Sequence, residues 1–282
     1  MPVQEGFSNS FTERLMDSRN AEFVRSMSPD QQLQKRASLD GIATYKQYKA
    51  EFLTDTFVLL FSMHFILLFC VSGVETIIPV ITQKYIGYGV FENSLIYMIG
   101  GLEALILFVG IAFIGPYVRD TTLQVIGWLL ILFSQILLVI VIPNFEEGNV
   151  THVVYFILGI AILYMGDPIF FVATTGLVSK VLSNETQGLG QGLCRLALYL
   201  GLIYGPTWSG STINKPYLSI GASVTILLLI GIMFACSFSN LRRAEDLLAE
   251  SKMKQATYEE LNETLSEVMD EDDETLPFVR DV

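Results

Sequence analysis

Six runs of mostly apolar residues divide the chain, at about Thr56–Thr82, Ser94–Tyr117, Leu123–Pro143, Val153–Val178, Gly188–Trp208 and Tyr217–Phe238. The hydrocarbon core of a bilayer needs about 20 mainly apolar residues per helix. Each run is long enough. The pattern predicts an all-α, polytopic membrane protein with six transmembrane helices. The fifth run is the weakest, because Arg195 and several glycines interrupt it. Three regions follow: a polar amino-terminal tail or linker over 1–50, a six-helix bundle over 51–240, and an acidic tail over 241–282. Both tails read as disordered, the second with a first stretch that could extend the last helix.

Composition supports this reading. Apolar residues make up 51% and charged residues only 16% of the chain, against about 25% charged in a typical soluble domain. The charges gather at the ends. Most of the net charge of −12 comes from the stretch between Glu245 and Asp281, which includes Asp270-Glu-Asp-Asp-Glu274. Nucleic-acid binding wants a basic face, so the expected surroundings are membrane lipid and no nucleic acid. Cys70, Cys194 and Cys236 all lie within apolar runs, with neither a disulfide framework nor metal-ligand spacing. No Ser/His/Asp set, HExxH, P-loop or GxGxxG occurs. The expectation is no enzyme, no cofactor and no metal. Residues 1–30 contain no apolar run of the kind a cleavable signal needs.

Basic residues set the orientation, because cytosolic loops carry the excess of Lys and Arg. Lys46, Lys49, Arg119, Lys180, Arg242 and Arg243 flank one face of the spans, and only Lys84 and Lys215 flank the other. Both termini are expected in the cytosol. Asn149-Val150-Thr151 is a glycosylation sequon and falls in the third loop, on the opposite side. Two further sequons, at Asn184 and Asn262, fall on the cytosolic side and should stay unmodified. Tyr258-Glu-Glu-Leu261 has the form of a tyrosine-based endosomal sorting signal.

Ionisable groups inside a bilayer are costly unless paired or hydrated, so they mark functional or structural sites. The runs contain His64, Glu75, Glu103, Asp167 and Arg195. His64 and Glu75 are eleven residues apart, three helical turns, and share a face about 16 Å apart along the axis. Gly73 and Pro79 flank Glu75 and point to a bend or break there. Asn93, Tyr97, Gly100 and Gly101 form a polar, small stripe leading to Glu103, of the kind that faces protein or a pore. Asp167 stands before Pro168 in mid-span. Arg195 is the one intramembrane cation that cannot lose its proton. It is the natural partner for Asp167, Glu103 or Glu75, or for an anion in transit. The alternative role for each residue is a structural pair that locks helices together.

A family resemblance appears at the same residues. Glu75-Thr76-Ile77, Thr82, Tyr85, Gly101-Leu102-Glu103-Ala104 and Phe108-Val109-Gly110 resemble the seventh and eighth helices of a major facilitator superfamily protein. Ser179-Lys180-Val181-Leu182, Gln187-Gly188, Gly192 and Gly205-Pro206 resemble its tenth-to-eleventh helix junction. Where that family carries an arginine just before Gly-Pro, this chain has Leu202, and Arg195 stands seven residues earlier. The resemblance, over roughly residues 50–240, implies the second half of a twelve-helix transporter, with residues 1–50 as the inter-half linker. It implies an endolysosomal membrane, a luminal glycan at Asn149, and transport of a small solute or an anion, chloride among them. A half-transporter would work with a second half or as a homodimer. The competing expectation is a non-transporting truncated isoform, or a regulatory membrane partner of full-length transporters.

Overall fold

The computed structural model describes the backbone over residues 49–146 and 148–274, without the side chains of 252, 255, 256 and 259–274. The chain divides into two units, Met1–Leu53 and Thr54–Val282. Most of the first unit, including the expected amino-terminal tail, lies outside the described residues. The described residues of the second unit are mostly helical, with no strand among them.

Six long helices follow in order. They are α1 (Asp55–Ile81), α2 (Val90–Ile114), α3 (Asp120–Val141), α4 (Val150–Val181), α5 (Gln187–Ser211) and α6 (Pro216–Glu274). Each coincides with one of the six apolar runs. Five of them are long and apolar enough to cross a membrane. The exception is α5, where Arg195 and a high share of small and polar residues dilute the apolar content. The chain is therefore an integral membrane helical bundle. The end where α1 begins and α6 leaves is called here the tail end, and the opposite one the far end.

Local chemistry fixes where the helices start and stop. The first N–H groups of a helix have no intrahelical partner, so a side-chain oxygen must take their place. Thr54 does this for α1, accepting from the Phe57 amide at 3.2 Å. Asn149 does it for α4, accepting from the Thr151 amide at 3.1 Å. Pro79 cannot continue the backbone ladder, and α1 turns into a π-helical turn over Thr82–Ile86. Gly87, at φ +75°, ends it in the left-handed region that suits glycine. The expected break at Glu75 does not occur: α1 runs unbroken past Glu75 to Ile81. The last helix extends past residue 240, as the start of the acidic tail suggested, and α6 continues as one helix to Glu274.

The bundle is built around α1. In its most apolar stretch 72% of residues are buried, against 11% in α2. Close packing of α1 on α5 follows from small residues four apart. Ala197, Gly201, Gly205 and Ser209 are all buried on one face of α5. A Cβ at Gly205 would stand 2.7 Å from the Phe69 carbonyl oxygen and 3.1 Å from the Gly73 amide nitrogen. One at Gly201 would strike the Phe65 carbonyl oxygen. The two backbones are in direct contact there, the arrangement that drives helix association in lipid. α3 and α4 repeat the device. Gly127 meets the Phe170 backbone, with Cα 2.8 Å from a Cβ built on the glycine. Ser134 donates to the Gly159 carbonyl at 2.6 Å. Gln124 ties the two helix pairs together. Its oxygen accepts from Thr174 at 2.8 Å and its nitrogen donates to the Met63 sulfur at 3.1 Å.

The α1–α5 contact predicts a contrast within one helix. Gly205→Leu should lower thermal stability in detergent by about 1–3 kcal/mol or more, the usual range for overpacking. Gly210→Leu, which enters open space, should change it little. Equal losses at both positions would mean that backbone contact is not what holds α5.

Candidate functional site

Three of the five intramembrane ionisable residues, His64, Glu75 and Asp167, lie on α1 and α4 at two levels. Tyr164 donates to the Glu75 carboxylate at 3.2 Å, and Tyr97 of α2 donates to the Glu75 backbone carbonyl at 2.8 Å. The second contact is the far-end part of the polar stripe read on α2. Two of its other members also face protein. Asn93 is buried and accepts from Thr82 at 2.7 Å, and Gly100 lies against the Tyr164 ring. Gly101 faces open space. Asp167 is half-buried on α4, within electrostatic reach of Glu75 and Tyr164.

Nearer the tail end, the His64 ring lies 2.8 Å from the Leu60 carbonyl oxygen through Nδ1 and 3.4 Å from the Thr175 hydroxyl through Nε2. A carbonyl can only accept, so Nδ1 carries the proton and Nε2 is free to accept from Thr175. The ring also meets Phe171 edge-on, with centroids 6.5 Å apart. α5 docks on the same spot, where Gln191 donates to the Thr175 carbonyl at 3.2 Å. Arg195, one turn further along α5, is exposed.

The expected partner of Arg195 is Asp167, Glu103 or Glu75, or an anion in transit. Arg195 pairs with none of Asp167, Glu103 and Glu75, and among the described residues it forms no ion pair. The reason is axial level. The Tyr164–Glu75 and Thr175–His64 contacts place α1 and α4 antiparallel in one register. Arg195 stands at the level of His64, and the acids stand nearer the far end. Glu103 is half-buried on α2, one turn on from Gly100, and is not drawn into the Glu75 contacts.

The other predicted positions are also placed. The Asn149 side chain is committed to capping α4, and its amide nitrogen donates to the Glu146 carboxylate at 3.3 Å. Tyr258 is exposed on α6. The side chain of Leu261, its companion in the sorting signal, lies outside the described residues.

Sequence reasoning missed a polar cluster at the tail end. Glu245 of α6 reaches the first turn of α3. It accepts from the Asp120 amide at 2.9 Å, the Thr121 amide at 3.3 Å and the Thr121 hydroxyl at 2.6 Å. The unpaired N–H groups and the positive end of the α3 dipole together make an anion seat, which Glu245 fills from another helix. Lys180, at the end of α4, lies 2.8 Å from Glu245 and 2.9 Å from Asp120. Gly176 makes room for the latter, since a Cβ there would stand 2.9 Å from the Asp120 carboxyl carbon. One carboxylate thus binds α3, α4 and α6. The signal was hidden because Glu245 reads as the first acid of a solvated tail.

The fold and these contacts define an integral membrane helical bundle with unpaired ionisable groups between its helices. No family model, no curated protein and no solved structure matches the chain.

The tail-end cluster predicts unequal costs. Glu245 is 5% exposed, and removing one partner of a buried ion pair strands the others. Glu245→Ala should cost about 3 kcal/mol in reversible unfolding in micelles. Arg119 and Asp246, paired at 3.1 Å but half exposed, should contribute under about 1 kcal/mol, read from Arg119→Ala. Comparable losses would remove the distinction.

Proposed function

We propose that the chain is one half of a solute transporter of major facilitator superfamily type, working in an endolysosomal membrane with both termini cytosolic. It moves a small solute or an anion, chloride among them. The observation that carries this reading is the grouping of Glu75, Asp167, His64 and Arg195 along one face without mutual ion pairs. Structural charges in lipid pair with one another, whereas charges on a path meet water and solute. Glu103, on α2 beside this face, completes the set of pathway residues.

The exposure of α2 supports a missing partner. Phe91, Met98, Leu102, Leu105, Ile106 and Phe113 are all exposed on it, an apolar surface that a second half or lipid would cover. Six helices of this architecture wall one side of a path. A second half-transporter or a second copy of the chain supplies the other side. In this orientation Asn149 is luminal and carries the glycan, and Tyr258 with Leu261 forms the cytosolic sorting signal.

The test is flux across liposomes holding the purified chain. Arg195→Ala and Glu103→Gln should lower flux at least tenfold at unchanged expression. No flux from any preparation, across a range of luminal pH, would remove the transport reading and favour the regulatory-partner one. Separately, Asn149→Gln should abolish a mobility shift on deglycosylation in cells. A wild-type chain insensitive to the glycosidase would place the third loop elsewhere or leave it bare.

A further inference from the structure

Beyond Glu250, α6 runs on without support from the bundle. Its backbone stays helical to Glu274. The described side chains from Ser251 to Tyr258 are all exposed, and their polar contacts stay within the helix. Ser251 donates to the Leu248 carbonyl, Lys254 to the Glu250 carboxylate at 2.7 Å and Thr257 to the Met253 carbonyl. Helices in proteins are held mostly by packing an apolar face on another element, because propensity alone is marginal.

The sequence of this stretch carries such a face. Tyr258, Leu261, Leu265 and Val268 recur at steps of three, four and three, the spacing of a coiled-coil seam. Tyr258 and Leu265 then take the a positions, and Leu261 and Val268 the d positions. The acids fall elsewhere. Glu259, Glu260, Glu263, Glu267 and Asp270 take b, c and f, away from the seam. The e and g positions beside it hold Thr257, Asn262, Thr264 and Met269, none of them charged. Charges at e and g set partner choice. Acids there would draw a basic helix and repel an identical one. Their absence suits a second copy of the same acidic helix. On the bundle side the seam stops at Lys254, which takes d and pairs with Glu250 of its own helix. On the other side it stops where Glu271 and Asp272 take g and a.

We propose that residues 258–268 dock on the same residues of a second copy, as a parallel two-stranded coiled coil. Two copies that share a membrane orientation send out their α6 helices side by side and in register. The seam is short, but the membrane tether makes pairing nearly intramolecular and raises the effective concentration. Pairing does not depend on whether the bundle transports. Tyr258 and Leu261 lie on the seam, so a paired chain covers its own proposed sorting signal.

The test is disulfide crosslinking of the full chain in liposomes, on a Cys236→Ser background that removes the exposed thiol of α6. Leu265→Cys and Val268→Cys place a thiol at a and d, where the two backbones come close enough for a bridge. Glu260→Cys and Glu263→Cys place it at c and f. The expected result on a non-reducing gel is a covalent dimer from the first pair and its loss from the second. Within the Leu265→Cys chain, Leu261→Glu should abolish the dimer and Glu260→Gln should keep it. The outer acids repel at range, so raising salt from about 0.01 to about 1 M, which cuts the Debye length from about 30 to about 3 Å, should increase the yield. All these positions lie outside the bundle, and its thermal unfolding checks that each variant has folded. Equal crosslinking at all four positions overturns the seam. No crosslinking at any of them overturns the second copy.

Discussion

Everything in this bundle hangs on how closely α5 can approach α1. Between helices in lipid there is no hydrophobic drive, since lipid tails are as apolar as leucine. Association comes from dispersion contacts and from backbone groups brought near one another. The run Ala197, Gly201, Gly205, Ser209 removes the side chains that would hold the helices apart. α1 thereby becomes a buried centre, and the levels of His64 and Glu75 are fixed against the helices around it. The one long helix not apolar enough to count as a span is docked backbone to backbone on the core. Its low apolar content reflects a face made of glycine and serine, where a lipid-facing helix would carry leucine and valine.

Much of this was legible in the chain. Each helix coincides with an apolar run, because a bilayer imposes length and composition together. The stripe of Asn93, Tyr97, Gly100 and Gly101 was readable in all but its last member, since Gly101 faces open space. A helix in lipid has no reason to align polar and small residues except against another element, and Asn93, Tyr97 and Gly100 each meet one.

What failed to show did so for physical reasons. The pairing of Arg195 with an acid was a reasonable inference from charge alone, but charge patterns along a chain carry no axial register between helices. Only the Tyr164–Glu75 and Thr175–His64 contacts supply it. The break expected at Glu75 came from counting Gly73 and Pro79 as helix breakers. Gly73 is instead where α5 packs, with the Ser209 hydroxyl 3.0 Å from the place a Cβ would occupy. Pro79 acts only where α1 is already ending. Glu245 was invisible because its partners lie some 65 and 125 positions away, and because a tail rich in acids hides the one acid that is buried.

α6 puts that buried acid in an unusual mechanical position. At 1.5 Å per residue, the 59-residue helix is nearly 90 Å long, and Glu245 sits midway along it. A continuous helix turns as a rod. Twisting its free half by a quarter turn would swing the carboxylate off the α3 amides and away from Lys180 in the same motion. The acidic segment and the seam between α3 and α4 are thus two ends of one lever, with Glu245 as the tooth that engages the bundle.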